Sequence, residues 1–270
     1  PAVLINVQRT GPSTGMPTRT QQSDLLACAY ASHGDTKHPL LFPCDPRECF
    51  EMTADAFDLA ERLQTPVMVM SDLDLGMNDH FGPSLSWDPD RTYDRGKVLD
   101  GAQLDALTYR WGRYKDVDGD GICSRTYPGT HPDKGVYFTR GTSRDEYSAY
   151  TEDSGVYVRN MERLQLKWET AKRLLPLARI KMTGPQARLG AVFYGSTTPS
   201  AYEAVELLRQ RGIVINTMRL RAFPFQQEVL DFINNHELVF VIEQNRDGQM
   251  RTLLINEGNL PPHKLIPIAC

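Results

Sequence analysis

The residues of this chain best suited to chemistry lie near its start. Arg9 is followed by Thr10, Gly11, Ser13, Thr14, Gly15 and Thr18, directly after an apolar run from Ala2 to Val7. A guanidinium presents a planar fork of donors that matches a carboxylate or a phosphate. The hydroxyls of Ser13, Thr14 and Thr18 add donors, and glycines let backbone N–H groups approach a ligand closely. These residue types describe a seat for a small anion. A rigid turn carrying a surface arginine uses the same residues, and both readings stand on composition. Nucleotide phosphate chemistry is not indicated. The Gly-Lys-Ser/Thr ending of a Walker loop is absent, and the glycines do not follow the G-x-G-x-x-G spacing.

A second candidate is Asp116-Val117-Asp118-Gly119-Asp120-Gly121, which has the opening spacing of a calcium loop. Asp116, Asp118 and Asp120 would ligate a divalent ion. The twelfth loop position is Tyr127, where a bidentate Glu is expected, so a solvated acidic turn competes with the ion site. The five cysteines, Cys28, Cys44, Cys49, Cys123 and Cys270, are odd in number and scattered. They form neither a disulfide framework nor the close spacing of an iron-sulfur or zinc site, and a reducing cytoplasm is the expected setting.

These groups must be held by elements. With 270 residues, 40% hydrophobic and 24% charged, the chain has room for two ordinary domains. A net charge of -4 supplies no basic stripe for nucleic acid, and no run approaches the roughly 18 apolar residues of a membrane span. The run from Ala2 to Val7 reads as a buried parallel strand. The loop then leaves its carboxyl end, where open α/β sheets bind ligands. Short strands at 40–42 and 67–70 flank a helix over 53–64, whose Ala56, Phe57, Ala60 and Leu63 recur at helical spacing. Residues 45–48 read as a turn. Strand, helix and strand in succession predict a parallel sheet with right-handed crossovers.

From 76 to 157 the composition turns to Asp, Gly, Pro, Tyr and Arg with little periodicity, which reads as an arm, lid or interface segment. A basic helix over 161–175 follows, with Leu164, Trp168, Ala171 and Leu175 on one face. Strands at 189–194, 213–219 and 238–243 alternate with helices at 200–211 and 225–234, which predicts a second open α/β sheet, smaller than the first. Residues 265–270 read as a final strand. Because Pro1 stands inside a strand, the chain is expected to be a fragment whose upstream part completes the first sheet.

The motif Val7-Gln8-Arg9-x-Gly11-Pro12-Ser13-Thr14-Gly15-x-Pro17-Thr18, followed by Gln22-Ser23-Asp24-Leu25, resembles the alpha subunit of 2-oxoacid:ferredoxin oxidoreductases, particularly the 2-oxoglutarate type (2-oxoglutarate synthase). Further matches are Ala56-Phe57-Asp58-Leu59-Ala60-Glu61, Pro66-Val67 with Ser71-Asp72, Asp120-Gly121-Ile122 with Arg125 and Pro128-Gly129, and Glu243-Gln244-Asn245-x-x-Gly248-Gln249. They run along almost the whole chain and leave a gap at 76–112.

The resemblance implies an α/β fold: residues 1–110 as the later half of a thiamine-diphosphate pyrimidine-binding domain, 111–184 as an irregular arm and linker helix, and 185–270 as a transketolase C-terminal-like domain. It implies oxidative decarboxylation of 2-oxoglutarate with coenzyme A to succinyl-CoA and carbon dioxide, with electrons passing to ferredoxin, or the reverse reductive carboxylation. The implied cofactors are thiamine diphosphate with Mg2+ and a 4Fe-4S cluster in the beta subunit, which would join this chain in an alpha2-beta2 assembly. The family's carboxylate-binding arginine falls on Arg9 and its assisting threonine on Thr18, with Gly11, Ser13 and Thr14 as loop neighbours. The glutamate that activates the cofactor is expected upstream, so no catalytic residue is assigned within the chain. Pyruvate or a branched-chain 2-oxoacid is the alternative substrate, and a non-catalytic α/β interaction module is the alternative of another class.

Overall fold

The computed structural model describes residues 1–141, 143–184 and 187–269. Its first elements are β1 (Ala2–Gln8), α1 (Leu25–Ala29), β2 (Leu40–Leu41), α2 (Pro46–Leu63), β3 (Pro66–Asp72), α3 (Leu73–Met77), α4 (Gly101–Ala106) and α5 (Ser154–Leu174). There follow β4 (Arg179–Lys181), β5 (Leu189–Phe193), α6 (Thr198–Gln210), β6 (Ile215–Arg219), β7 (Ala222–Phe223), α7 (Gln227–Asn234), β8 (Leu238–Glu243), α8 (Gln249–Gly258) and β9 (Leu265–Ala269). By their contacts these fall into two compact units, one of Asp58–Gln64 and Arg91–Leu174 with Pro1, the other of Ala2–Phe57, Thr65–Asp90 and Leu175–Cys270.

The second unit holds both sheets. The first sheet has the order β1-β3-β2-β7, with β1, β3 and β2 parallel and β7 antiparallel against β2. Its β-branched and sulfur-containing centre is β3, buried from Val67 to Asp72. β1 is parallel as expected but is not buried: Leu4 is 46% and Ile5 58% exposed. Among the described residues it is the edge strand, and an apolar run carries no mark that separates an edge from a centre. The other sheet has the order β4-β6-β5-β8-β9, all parallel except β4. It is the larger of the two, contrary to the sequence expectation, because short β4 adds an edge that no periodicity announces and β9 completes the far side. Cys270 lies outside the described residues.

The helix expected over 53–64 starts earlier, at Pro46. Residues 45–48 are its first turn rather than a separate one: Asp45 Oδ1 accepts the Glu48 N–H at 2.7 Å, and proline at the first helical position gives up a donor that the helix would leave unpaired. Helices α7 and α8 bury Val229, Phe232 and Ile233, and Met250, Leu253 and Leu254. These apolar faces, with Val239 and Val241 of β8, build the core of the larger sheet.

The other unit consists mainly of irregular chain with α4 and α5. Leu63, Ile122 and Ala171 form its buried cluster, with Leu174 packed against them. The extended stretch is tied by ion pairs rather than by periodic packing: Arg91 donates to Asp58 at 2.8 Å, and buried Arg125 donates to Glu61 and to the Arg95 carbonyl. Among the described residues no helix is long and apolar enough to cross a membrane.

Candidate functional site

The loop after β1 is preformed. Gln8, buried at the strand end, donates its side-chain N–H to the Ser71 carbonyl at 3.3 Å and accepts the Asp24 N–H at 3.3 Å, so the exit from β1 is tied to β3 and to the start of α1. Beyond it the loop closes on itself. Thr10 N–H donates to Arg19 O at 2.9 Å, the Thr10 hydroxyl to Thr20 O at 3.2 Å, and Met16 N–H to Thr10 O at 3.4 Å. The Gly11 N–H donates to Gln21 Oε1 at 2.9 Å. Ser13 and Thr14 take left-handed backbone angles (φ 51° and 63°), which the surrounding closure must hold against their side chains.

All five loop candidates therefore share one excursion. Arg9 is exposed and makes no hydrogen bond or ion pair among the described residues. Thr18 is exposed, and its hydroxyl accepts from Arg19 Nη1 at 3.2 Å. The clasp joins their chain neighbours Thr10 and Arg19 directly, with Gly11 half-buried at its base and Ser13 and Thr14 exposed at its tip. Residues 9–21 contain two arginines, five hydroxyl side chains and no carboxylate. Such a donor set suits an anion and not a divalent cation.

The anchor of this loop is Gln22, only 1% exposed. Its N–H donates to Gln244 O at 2.8 Å and its side-chain amide to Tyr194 O at 3.1 Å. Its Oε1 accepts the Thr197 hydroxyl at 3.2 Å and the Gln244 N–H at 3.1 Å, and its carbonyl accepts Asn245 Nδ2 at 2.9 Å. Gly195 has φ +57°, in the left-handed region that favours glycine, and a Cβ there would lie 2.9 Å from Gln22 Nε2 and push on that amide. Gln249 completes the clasp by donating to Ser23 O at 2.6 Å and accepting Leu26 N–H at 3.1 Å. Two motifs quoted separately from the sequence thus hold each other, across sequence separations of more than 220 residues.

Glu243 supports that anchor from below. It is fully buried and accepts Asn245 Nδ2 at 2.6 Å, Met250 N–H at 2.8 Å and Arg251 N–H at 3.1 Å at the start of α8. Burial pushes its carboxyl above the ordinary range, and these donors with the helix N-terminus oppose the shift. Sequence reading assigned no role to Gln22 or Glu243. The only signal was their membership of the quoted motifs.

The acidic turn lies in the other unit. Carboxylate oxygens of Asp116, Asp118 and Asp120 approach within 4.8 Å of one another. Asp116 is engaged by the N–H groups of Asp118, Gly119 and Gly121 at 3.3, 3.0 and 2.8 Å. The ammonium of Lys97 stands 2.6 Å from both Asp118 and Asp120 and 2.8 Å from the Ile122 carbonyl. An ion at this turn would have to displace Lys97. The turn is docked on α5 by Arg163 to Gly121 O at 3.0 Å and by the Thr170 hydroxyl to Asp120 O at 2.8 Å. Cys28, Cys44 and Cys49 are half-buried and Cys123 is buried, all four as free thiols.

Residues 1–78, which include the Arg9 loop, match the family described as pyruvate flavodoxin/ferredoxin oxidoreductase, thiamine diphosphate-binding. Over 98% of its length the chain is 32% identical to the alpha subunit of 2-oxoacid:ferredoxin oxidoreductase 2 of Aeropyrum pernix. Over 91% of its length it is 28% identical to the 2-oxoglutarate synthase subunit KorA of Archaeoglobus fulgidus. It spans 41% and 61% of those two relatives. The solved 2-oxoglutarate:ferredoxin oxidoreductase of Magnetococcus marinus, with 2-oxoglutarate, coenzyme A and succinyl-CoA bound, superposes with a TM-score of 0.84 at 27% identity, covering 99% of this chain and 45% of that one. By sequence and by its mixed α/β fold with parallel sheets, the chain is similar over nearly its whole length to the alpha subunits of 2-oxoacid:ferredoxin oxidoreductases, and its first 78 residues match their thiamine diphosphate-binding family.

Proposed function

We propose that this chain contributes the substrate-carboxylate seat of a 2-oxoglutarate:ferredoxin oxidoreductase, working as an alpha subunit with a beta subunit in an alpha2-beta2 enzyme of the cytoplasm. The observation that carries the reading is Arg9: an exposed guanidinium without a protein counter-ion among the described residues, at the carboxyl end of a parallel strand, on a loop already closed. Arg9 holds the C1 carboxylate through a charge-assisted fork, and Thr18 supplies a hydroxyl beside it. Ser13, Thr14 and the Gly11 backbone shape the loop that aims them.

The overall reaction balances as 2-oxoglutarate plus coenzyme A giving succinyl-CoA, carbon dioxide, one proton and two electrons, which leave singly on two ferredoxins. The bond from C1 to C2 breaks, and the acyl carbon gains a bond to the thiol sulfur. Thiamine diphosphate, when bound, supplies the electron sink for that cleavage. The loop carries no carboxylate that could hold Mg2+, and we assign the metal, the diphosphate and the 4Fe-4S cluster to the beta subunit, as the family resemblance implies. We assign 1–110, 111–184 and 185–270 to the later half of the pyrimidine-binding domain, the arm with its linker helix, and the transketolase C-terminal-like domain. At Asp116, Asp118 and Asp120, the reading favoured by the Lys97 contacts is an internal ammonium in place of a divalent ion.

The test is methyl viologen reduction by the complete alpha-beta complex with coenzyme A, comparing 2-oxoglutarate with pyruvate and repeating with Arg9→Ala. A preference for 2-oxoglutarate is expected, with a loss in kcat/KM of more than about tenfold in the variant, the equivalent of a charge-assisted contact of about 2 kcal/mol. Turnover of pyruvate alone would move the assignment to that substrate. Unchanged turnover without Arg9 would remove the loop from substrate binding.

A further inference from the structure

The unit of Asp58–Gln64 and Arg91–Leu174 contains a cavity of about 180 Å³ that the 2-oxoacid reading does not use. Its floor includes Ile122 and Cys123, both buried. Its walls carry Arg113, Arg163 and Lys167, and among the described residues no carboxylate lines it. Arg163 and Lys167 stand one helical turn apart on α5, the basic helix noted in the sequence, and so project to the same side.

The cations are poorly compensated. Arg113 donates to the Gln64 side-chain oxygen at 2.6 Å and Arg163 to the Gly121 carbonyl, both neutral acceptors. Arg163 Nε is cut off from solvent without an acceptor among the described residues, and the half-buried Lys167 side chain makes no hydrogen bond or ion pair among them. Burial, then the charges of Arg163 and Arg113, bring the Lys167 ammonium down to about 8. Asp116, near enough to act on Cys123, is committed to three backbone N–H groups. Three like charges around an apolar floor repel one another unless an anion joins them.

We infer that this cavity is a binding site for a phosphate dianion, received by Arg113, Arg163 and Lys167. One arginine fork satisfies a carboxylate. Two guanidiniums and an ammonium lining one cavity suit a group with three or four acceptor oxygens and two charges. The volume is below the roughly 300 Å³ of the smallest ordinary small-molecule pockets, so it admits inorganic phosphate or the phosphate end of a larger ester, not a whole nucleotide.

The experiment titrates the complete alpha-beta complex with inorganic phosphate by calorimetry at constant ionic strength, in parallel with adenosine monophosphate, on the wild type, Lys167→Met and Lys167→Arg. Saturable phosphate binding, weakened at least tenfold in Lys167→Met and retained in Lys167→Arg, is the expected result. A melting temperature raised by phosphate but not by equal chloride, with the rise lost in Lys167→Met, is the expected second readout. Tighter binding of the monophosphate identifies an ester as the source, and equal or weaker binding identifies free phosphate. No saturable binding of either, or binding equal in all three proteins, overturns the proposal. The readouts are independent of turnover, so failure of the 2-oxoacid assignment leaves them interpretable.

Discussion

Arg219 grips both carboxylate oxygens of Glu48, Nη1 at 2.7 Å and Nη2 at 2.6 Å, with the two side chains almost wholly out of water. The pair ties the first turn of α2 to the end of β6, and Arg179 and Arg221 lie 3.3 Å from the same carboxylate. Removing one member of a buried pair leaves the other charge uncompensated. Arg219→Met is therefore expected to lower unfolding stability by about 3–5 kcal/mol, read from denaturant midpoints. A loss below about 1 kcal/mol would show that the remaining arginines replace Arg219.

The same pair sets an acid limit. Burial pushes the Glu48 carboxyl up, but the bonds and charge of Arg219, with the Cys44 and Arg221 contacts, hold it down to about 2, against 4.5 for the free group. A depressed carboxyl contributes stability that is complete above its unfolded value and is lost as pH falls toward its folded one. The melting temperature of the wild type should thus fall more steeply than that of Glu48→Gln between about pH 4.5 and pH 2. Parallel curves would remove Glu48 from the acid response.

Gln22→Ala strips partners from the Tyr194 carbonyl, the Thr197 hydroxyl and the Gln244 N–H together. With about 1–3 kcal/mol for each buried group left unsatisfied, a melting temperature lowered by several degrees is expected. Because Gln22 anchors the Arg9 loop, KM for the 2-oxoacid should rise more than kcat falls. A purely thermal effect with unchanged KM would confine Gln22 to stability.

Gly121 is pressed against α5. At φ +78°, a Cβ there would stand 2.2 Å from the Lys167 nitrogen and 2.6 Å from the Arg163 carbonyl, both backbone atoms. Gly121→Ala must move the turn off the helix, at a cost of at least about 2 kcal/mol. Limited proteolysis should then cut within 91–174 faster than in the wild type. An unchanged cleavage pattern would contradict the packing.

Lys97→Ala removes the ammonium from three converging carboxylates. Millimolar calcium is expected to leave the wild-type melting temperature unmoved and to raise that of the variant, as a ligand bound only by the folded state does. Calcium stabilising the wild type equally would show that an ion can enter beside Lys97.

Much of this protein was legible locally. Of the predicted stripe Ala56, Phe57, Ala60 and Leu63, three residues are buried and Phe57 is 54% exposed, since it lies off the face that Ala56, Ala60 and Leu63 share; apolar runs such as Val67 to Met70 report strands, because burial of apolar surface acts on every such residue alike. Boundaries followed less well: at α2 the helix pattern begins at 53, while the helix itself opens at a capped Pro46 whose first turn packs through charge. The Arg9 loop was visible because its glycines, hydroxyls and guanidinium are contiguous and leave a strand end.

What the sequence alone determined, then, is the succession of strands and helices and the donor-rich, carboxylate-free make-up of one loop, both of which depend on neighbouring residues. Tertiary structure alone decided that β1 pairs with β3, that Lys97 enters the acidic turn, that Gln22 reaches Gln244 and Asn245, and that Arg219 finds Glu48. A polar side chain looks the same in a sequence whether it meets water or a buried partner 171 residues away. Desolvation makes that partner obligatory, and only the path of the backbone selects which residue it is.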